Sequence, residues 1–245
     1  MSPASSRPQS SGAPADSVGQ PWTGRDLPPA PYAGDDGRPD STLTAVLARL
    51  GTGPEAETEL VRALGPARVF VAVVALPGES KDGRSDMGLV WLDRLDGRRA
   101  LPVFTSPQSL AAWRAEGRPV PADGRRVALS AVAEGAELLH LDPGGPVEYV
   151  VPRPALWALA QDRDWRPAYG NPVVTQTISD MCAELGLTVG CERGEAAELR
   201  VVLSLPPGLG AGSLDGVTTG LSRRLGQSDV VTEQVDSVEI TVRSS

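Results

Sequence analysis

One run of six residues constrains the fold more than any other part of this chain: Val69-Phe70-Val71-Ala72-Val73-Val74. Its β-branched and aromatic side chains favour a strand, and the run shows no alternation between polar and apolar residues. Pro and Gly residues bound it on both sides. These features predict a central strand that is buried on both faces.

Helices and strands surround this run without regular alternation. Ser41 is predicted to cap the first helix, and Pro54 opens the second. Asp96-Gly97 predicts a hairpin between strands at 87–92 and 99–104. The further predicted elements are helices at 106–113, 125–133 and 152–159, and a strand pair at 137–141 and 147–151. This mixture predicts an α+β fold with mixed or antiparallel sheets.

A charged stretch at 162–170, which contains Pro and Gly, predicts a linker to a second unit. That smaller unit is predicted to hold helices at 172–185 and 214–225 and strands at 199–205 and 238–242. The chain is therefore expected to form two small α+β domains, at 41–165 and 166–245.

Residues 1–40 have a different composition, because Pro, Gly and Ser fill 19 of these 40 positions. Such a segment cannot bury enough apolar surface to offset the entropy of ordering it. We predict a disordered tail, with docking of Trp22 or Tyr32 on a folded surface as the alternative.

The chain holds one lysine, Lys81, and one histidine, His140, which removes most recognisable catalytic arrangements. Ser80 precedes the lysine and Asp82 follows it, so no phosphate-binding loop of the Walker type is present. His140 alternates with leucines and is expected to be a solvent-facing or hydrogen-bonded strand residue. We expect no catalytic residues, no cofactor and no metal site, and therefore a protein that is not an enzyme.

Cys182 and Cys191 are too few for a zinc site and are expected to be small, partly buried apolar side chains, with a disulfide as the alternative. Gly208-x-Gly210-x-Gly212 lies between a strand and a helix, where a dinucleotide loop would lie. No parallel β-α-β unit is predicted there, so we expect a flexible connection in which Ser213 caps the next helix. Anion binding at that helix start is the alternative.

Charge and hydropathy restrict the partners. A net charge of −8 argues against nucleic acid, and the longest apolar run, Val69–Leu76, is far shorter than the roughly 20 residues of a membrane span. No secretion signal is visible, so a cytoplasmic location without membrane contact is predicted. Three arginine pairs are expected to be solvated, with a basic patch as the alternative: Arg98-Arg99, Arg125-Arg126 and Arg223-Arg224.

Two blocks of sequence resemble a known family. The first is Leu101-Pro102-Val103-Phe104-Thr105-Ser106 followed by Trp113; the second comprises Gly135, Leu141-Asp142-Pro143-Gly144-Gly145-Pro146 and Val151-Pro152-Arg153-Pro154-Ala155-Leu156-Trp157. Over about residues 41–162 the chain resembles the SseB N-terminal domain family. Leu203–Gly208 is similar to the C-terminal domain of bacterial "enhanced serine sensitivity" proteins, and the Pro/Gly-rich tail is similar to actinobacterial members.

The resemblance implies a soluble α+β protein of undefined biochemical role, without catalytic residues. A type III secretion translocator shares the name, but this chain has neither long heptad segments nor a membrane-inserting helix. Trp91, Trp113 and Trp157 are expected to anchor the cores, or alternatively to line a groove.

The predicted function is a non-catalytic protein-interaction or regulatory role with an unknown protein partner. The predicted contact surface consists of Phe104, Thr105, Ser106 and Trp113. A small-molecule-binding regulator linked to amino-acid (serine) metabolism is the alternative. An enzyme that uses only Asp, Glu, Ser and Arg would require a pocket with converging carboxylates.

Overall fold

The computed structural model describes residues 32, 34–75, 87–205 and 211–244. The fold lies within residues 37–245, which group into one compact unit. Most of the predicted tail, the loop around Lys81, and Gly208 and Gly210 lie outside the described residues. Residues 37–40, which the sequence assigned to the tail, belong to the compact unit. Asp40, and not Ser41, caps the first helix by accepting a hydrogen bond from the Leu43 amide at 2.8 Å.

A seven-stranded sheet (the large sheet) and its helices occupy the first part of the unit. Its elements are α1 (Ser41–Leu47), α2 (Pro54–Leu64), β1 (Arg68–Ala75), β2 (Met87–Leu89), β3 (Leu92–Asp93), β4 (Arg99–Phe104), α3 (Pro107–Trp113), β5 (Arg118–Asp123), α4 (Gly124–Ala133), β6 (Leu138–Leu141), β7 (Tyr149–Val151) and α5 (Arg153–Ala160). The strand order is β2-β1-β4-β6-β7, with β5 paired to β1 and β3 paired to β4. Only β4 and β6 run parallel, so the sheet is mixed, as predicted.

The central position of β1 is confirmed. Val69 and Val71 belong to the core between the sheet and helices α1, α2, α4 and α5. Phe70 and Ala72 point to the other face, where Leu110 of α3 covers them. Alternate residues of a strand face opposite sides, so an unbroken apolar run is what a strand with two covered faces requires.

A three-stranded sheet (the small sheet) follows. Its elements are a 3-10 turn (Ala168–Gly170), α6 (Pro172–Ala183), β8 (Thr188–Arg193), β9 (Leu199–Leu205), α7 (Ala211–Gln227), α8 (Asp229–Gln234) and β10 (Val238–Ser244). The strand order is β10-β9-β8. Leu199, Val201 and Leu203 of β9 pack in one core with side chains of α6, α7 and α8.

Two expectations for the small sheet were wrong. β9 and β10 are parallel and are connected by α7 and α8, so a parallel β-α-β unit is present where none was predicted. Ser213 lies inside α7 and does not begin the helix. β8 and α8 were missed, since β8 contains Gly190 and α8 is only six residues long.

The large sheet also differs from expectation in three places. The turn at Asp96-Gly97 connects β3 to β4, but Met87–Leu89 pairs with β1 and not with β4. The edge strand β5 was missed because Pro119 and Pro121 are unusual in a strand. The predicted linker contains buried Trp165 and Ala168, which pack in the large-sheet and small-sheet cores respectively.

Candidate functional site

The turn predicted to bind a partner is mostly buried. Phe104, Thr105 and Ser106 each expose less than a tenth of their surface. The Thr105 backbone amide donates to Asp142 Oδ1 at 2.9 Å, and its hydroxyl donates to Asp142 Oδ2 at 2.7 Å. Ser106 Oγ accepts from the Ser109 amide at 3.0 Å and caps α3.

These hydrogen bonds connect the two sequence blocks to each other. Thr105 follows β4 and Asp142 follows β6, and parallel neighbouring strands place their carboxyl ends at one edge. Asp142 has φ +45°, a backbone conformation that Asp and Asn tolerate better than most residues. The two blocks therefore stabilise the large sheet at this edge.

Trp113 alone among the four predicted contact residues is half-exposed. Its ring centroid lies 5.4 Å from that of Phe104, and the Arg114 guanidinium lies 5.6 Å from its ring. A partner contact at this turn stays a prediction, and it would depend on Trp113 because the other three residues present little surface.

Trp157 was expected in a core, and this was wrong: 47% of its surface is exposed. Helix α5 buries Ala155, Leu156 and Leu159, and Trp157 follows Leu156 directly, about 100° further round the helix. Trp91 and Trp113 are partly buried against the cores, as predicted.

The exposed Trp157 borders a cavity of about 290 Å³. The cavity lies between α5, residues 163–166 and the end of α8, and Trp165 also lines it. The buried Trp165 Nε1 has no hydrogen-bond acceptor within the part of the chain that the structure describes. An exposed tryptophan beside a depression is typical of a contact surface.

A buried polar cluster connects the two sheets. Glu57 of α2 accepts hydrogen bonds from the hydroxyls of Tyr149 and Tyr169, each at 2.9 Å. Arg193 of β8 places its Nε 3.1 Å from the same carboxylate. Burial, and then the charge of Glu57, raise the pKa of both tyrosines, so both hydroxyls stay protonated donors.

Asp236 forms a second connection. Its carboxylate binds Arg98 Nη1 at 2.7 and 2.8 Å and accepts from the Arg153 amide at 3.2 Å. The Asp236 amide in turn donates to Glu198 at 2.7 Å, and the Ala168 amide donates to the other oxygen at 3.0 Å. Burial raises the pKa of Glu198 to about 7, although these two amides lower it.

A cavity of about 180 Å³ lies beside these two connections. Four carboxylates line it, which is the arrangement that an enzyme using only Asp, Glu, Ser and Arg would require: Glu57, Glu195, Glu198 and Asp236. Each of them already accepts hydrogen bonds from this chain, so the cluster serves to join the sheets. Arg94 also lines the cavity, and its buried Nε has no hydrogen-bond partner among the described residues.

His140 is buried and does not face solvent. Its Nε2 lies 3.3 Å from Glu148 Oε2, but neither ring nitrogen makes a hydrogen bond within the described ranges. Burial lowers the pKa of His140 more than the Glu148 carboxylate raises it, so the ring is neutral at pH 7. A buried neutral imidazole on a central strand is a core residue.

The cysteines and the arginine pairs are the remaining candidate residues, and Arg98 is partly buried where a solvated side chain was expected. Cys182 is buried and Cys191 is half-buried, both are free thiols, and burial raises the pKa of Cys191 to about 11. One arginine of each predicted pair forms an ion pair: Arg98 with Asp236, Arg125 with Asp162, and Arg224 with Glu184. The described residues contain no group of three metal-ligating side chains. None of the helices described here could cross a membrane.

An open groove of about 970 Å³ lies between α7, α8 and β10. Leu225, Val238 and Ile240 supply apolar surface, and Thr219 and Ser222 supply hydroxyl groups. No sequence signal pointed to this groove, because its wall contains the missed helix α8.

Fold and site together define an α+β protein with two mixed sheets joined by buried carboxylates. Residues 43–158 match the family model of the SseB protein N-terminal domain, so this part of the chain is an SseB N-terminal domain. The match covers both sequence blocks and ends before the small sheet. The comparison with curated proteins returns no match.

Proposed function

We propose that this protein acts by binding a protein partner, without catalysing a reaction, and that Trp157 lies at the centre of the contact surface. The supporting observation is the exposed indole beside a 290 Å³ cavity. Tryptophan contributes a large share of the binding energy in many interfaces because it buries a large rigid surface.

The cavity rim indicates the chemistry of the partner. Two arginines, Arg163 and Arg166, line the cavity together with two carboxylates, Asp164 and Glu233, so its rim carries both charges. An apolar side chain would pack against Trp157, and charged groups beside it would pair with these guanidinium and carboxylate groups. The partner segment is therefore expected to combine an apolar side chain with flanking groups of both charges.

Affinity capture with matched tryptophan variants tests this proposal. Trp157→Ala removes the proposed contact, and Trp113→Ala removes the surface that the sequence predicts. The same stoichiometric partner should bind the wild type and Trp113→Ala, and at least tenfold less should bind Trp157→Ala. Undiminished binding to Trp157→Ala contradicts the proposal, and selective loss with Trp113→Ala would assign the function to the other surface.

A small-molecule-binding regulator is the second candidate. It is favoured by the buried Arg94 Nε beside the 180 Å³ cavity; this nitrogen lies 3.8 Å from Asp96 Oδ2 and makes no hydrogen bond among the described residues. Guanidinium and carboxylate groups around one small cavity suit a zwitterion such as an amino acid. A ligand at 100 times its dissociation constant would stabilise the fold by about 2.7 kcal/mol. A thermal-shift screen with amino acids should then show a rise that Arg94→Gln abolishes; a flat screen removes this candidate.

The proposal also covers the identity of the C-terminal part of the chain and the cellular location of the protein. We propose that residues 166–245 form the companion C-terminal domain of the family, which the Leu203–Gly208 motif supports. We also propose a cytoplasmic location, which the two free thiols, Cys182 and Cys191, support because reducing compartments keep cysteines unpaired. Fractionation of cells that produce the natural full-length protein tests the location, and recovery with the envelope would contradict it.

A further inference from the structure

Strand β10 is an unprotected edge. It pairs with β9 only, among the strands that the structure describes. The parallel register runs without a bulge from Val238 opposite Leu199 to Ser244 opposite Leu205. The strand contains no proline, so the backbone N–H and C=O groups of every second residue face away from β9 without interruption.

The edges of the large sheet are different. β5 carries Pro119 and Pro121, which remove two backbone donors, and β7 is three residues long. Proteins commonly use such devices to prevent edge strands from pairing with other chains. The absence of both devices from β10 favours pairing with a further strand.

We propose that β10 pairs antiparallel with β10 of a second copy of this chain, with Thr241 on the two-fold axis. In this register Glu239 lies opposite Arg243 of the partner subunit, and Ile240 lies opposite Val242 of the partner subunit. The sequence of the strand is thus complementary to itself in both charge and hydropathy.

The charges select this register. Moving the strands by two residues places Glu239 opposite a threonine and leaves the arginine without an opposite charge. Glu239 Oε1 accepts from Arg200 Nε at 2.7 Å and from the Glu195 amide at 3.0 Å. Among the described residues, Oε2 accepts the Ala196 amide alone, at 3.2 Å. A carboxylate oxygen accepts more than one hydrogen bond, so Oε2 can also bind a guanidinium from a neighbouring chain.

The apolar face of β10 supports the same arrangement. Val242 exposes 41% of its surface, and the 970 Å³ groove opens beside Val238 and Ile240. A two-fold axis perpendicular to the sheet places α7 of both copies on one face, so the two grooves meet at the axis. Val242 is then covered by an isoleucine from the other copy. This inference is independent of the Trp157 surface.

Sedimentation velocity on the full chain tests the proposal. In a concentration series that extends to about 100 μM, the wild type should sediment increasingly as a dimer. Thr241→Lys places two ammonium groups together on the axis and should raise the dissociation constant at least tenfold. Thr188→Lys is the matched control, because Thr188 is an exposed threonine on β8 at the other edge of the same sheet. It should dimerise like the wild type.

Three results would overturn the proposal. They are a monomeric wild type over this range, a Thr241→Lys dimer as tight as the wild type, and equal weakening by Thr188→Lys. Thermal unfolding of each variant confirms that its fold is retained.

Arg243 variants test the register separately. Arg243→Glu places two carboxylates opposite each other and should weaken the dimer more than Arg243→Gln. The Gln variant also removes the 3.4 Å contact with Glu192 within the chain, so it controls for that loss. Equal dissociation constants for the two variants would contradict the Glu239 pairing.

Discussion

The two sheets of this protein bury different amounts of their surface. Side chains on both faces of β1 in the large sheet are covered, and the edges β5 and β7 are protected by proline or by shortness. The small sheet has helices on one face only, and its edge strand β10 carries neither protection. The large sheet is therefore a closed scaffold, whereas the small sheet retains backbone and side-chain groups that another molecule can contact.

The uncovered face of the small sheet is charged. Arg200 of β9 lies between Glu195 and Glu239, at 3.0 and 2.7 Å. Val202 lies on the same face and is nevertheless 97% buried. The described helices of the small sheet pack on the opposite face, so the edge is the part of the sheet that they leave free to pair.

The largest effect is expected within the closed scaffold. Asp142→Ala leaves the Thr105 amide and hydroxyl without their acceptor and places alanine at φ +45°, so the free energy of unfolding should fall by about 3 kcal/mol. Asp142→Asn keeps one acceptor oxygen and tolerates the backbone angle, so it should cost less. Urea unfolding measures both, and equal losses would contradict this role of the carboxylate.

A smaller effect is expected where the sheets meet. Asp236→Ala leaves the partly buried Arg98 without one carboxylate and should lower the free energy of unfolding by about 2 kcal/mol. It should also separate calorimetric unfolding into two transitions, one for each sheet. Asp96→Ala removes the other, exposed carboxylate of Arg98 and is the matched control. If Asp236→Ala unfolds in one transition, the sheets are coupled by other contacts.

Glu198 makes the junction sensitive to pH. Its pKa is raised from 4.5 to about 7, so the folded state binds this proton more tightly than the unfolded state. Stability should therefore fall as the pH rises from 5 to 8, by about 1 to 2 kcal/mol after allowance for partial exposure. Glu198→Gln cannot ionise and should flatten this part of the profile. An unchanged profile would show that other groups cause it.

The smallest effect is expected on the exposed surface. Arg224 of α7 and Glu184 at the end of α6 form an ion pair at 2.6 Å, and their side chains are 40% and 67% exposed. Arg224→Gln should change the free energy of unfolding by less than about 0.5 kcal/mol. A loss above about 1 kcal/mol in urea unfolding would mean that this pair connects the two helices more strongly than exposed pairs usually do.

Local signals predicted much of the fold. Pro54 and Ser106-Pro107 marked helix starts correctly, and the apolar run at 69–74 marked the central strand. β5 was missed because its prolines, which protect the edge, are also the residues that argue against a strand. The parallel pairing of β9 with β10 connects residues that are far apart in the chain, and no local pattern specifies it.

Less of the candidate site than of the fold could be predicted from the sequence. Trp157 and Trp113 look alike in sequence, because both lie in short helices among apolar residues. Their different exposure depends on what packs against each helix. The carboxylates at the junction come from distant positions, and each resembles an ordinary surface acid in sequence. The charge pattern of β10 is visible in the sequence, but its meaning depends on β10 being an edge.

Disulfide trapping tests most directly whether β10 is an edge that pairs with itself. A Thr241→Cys variant would bring two thiols together on the axis, within the Cα separation of a disulfide. Mild oxidation should give a covalent dimer of twice the 25.6 kDa chain mass on a non-reducing gel. Thr188→Cys and the wild type, with its two native cysteines, should form no covalent dimer and should run at the mass of a single chain on the same gel. If Thr241→Cys crosslinks no faster than Thr188→Cys, β10 does not pair with a second copy in this way.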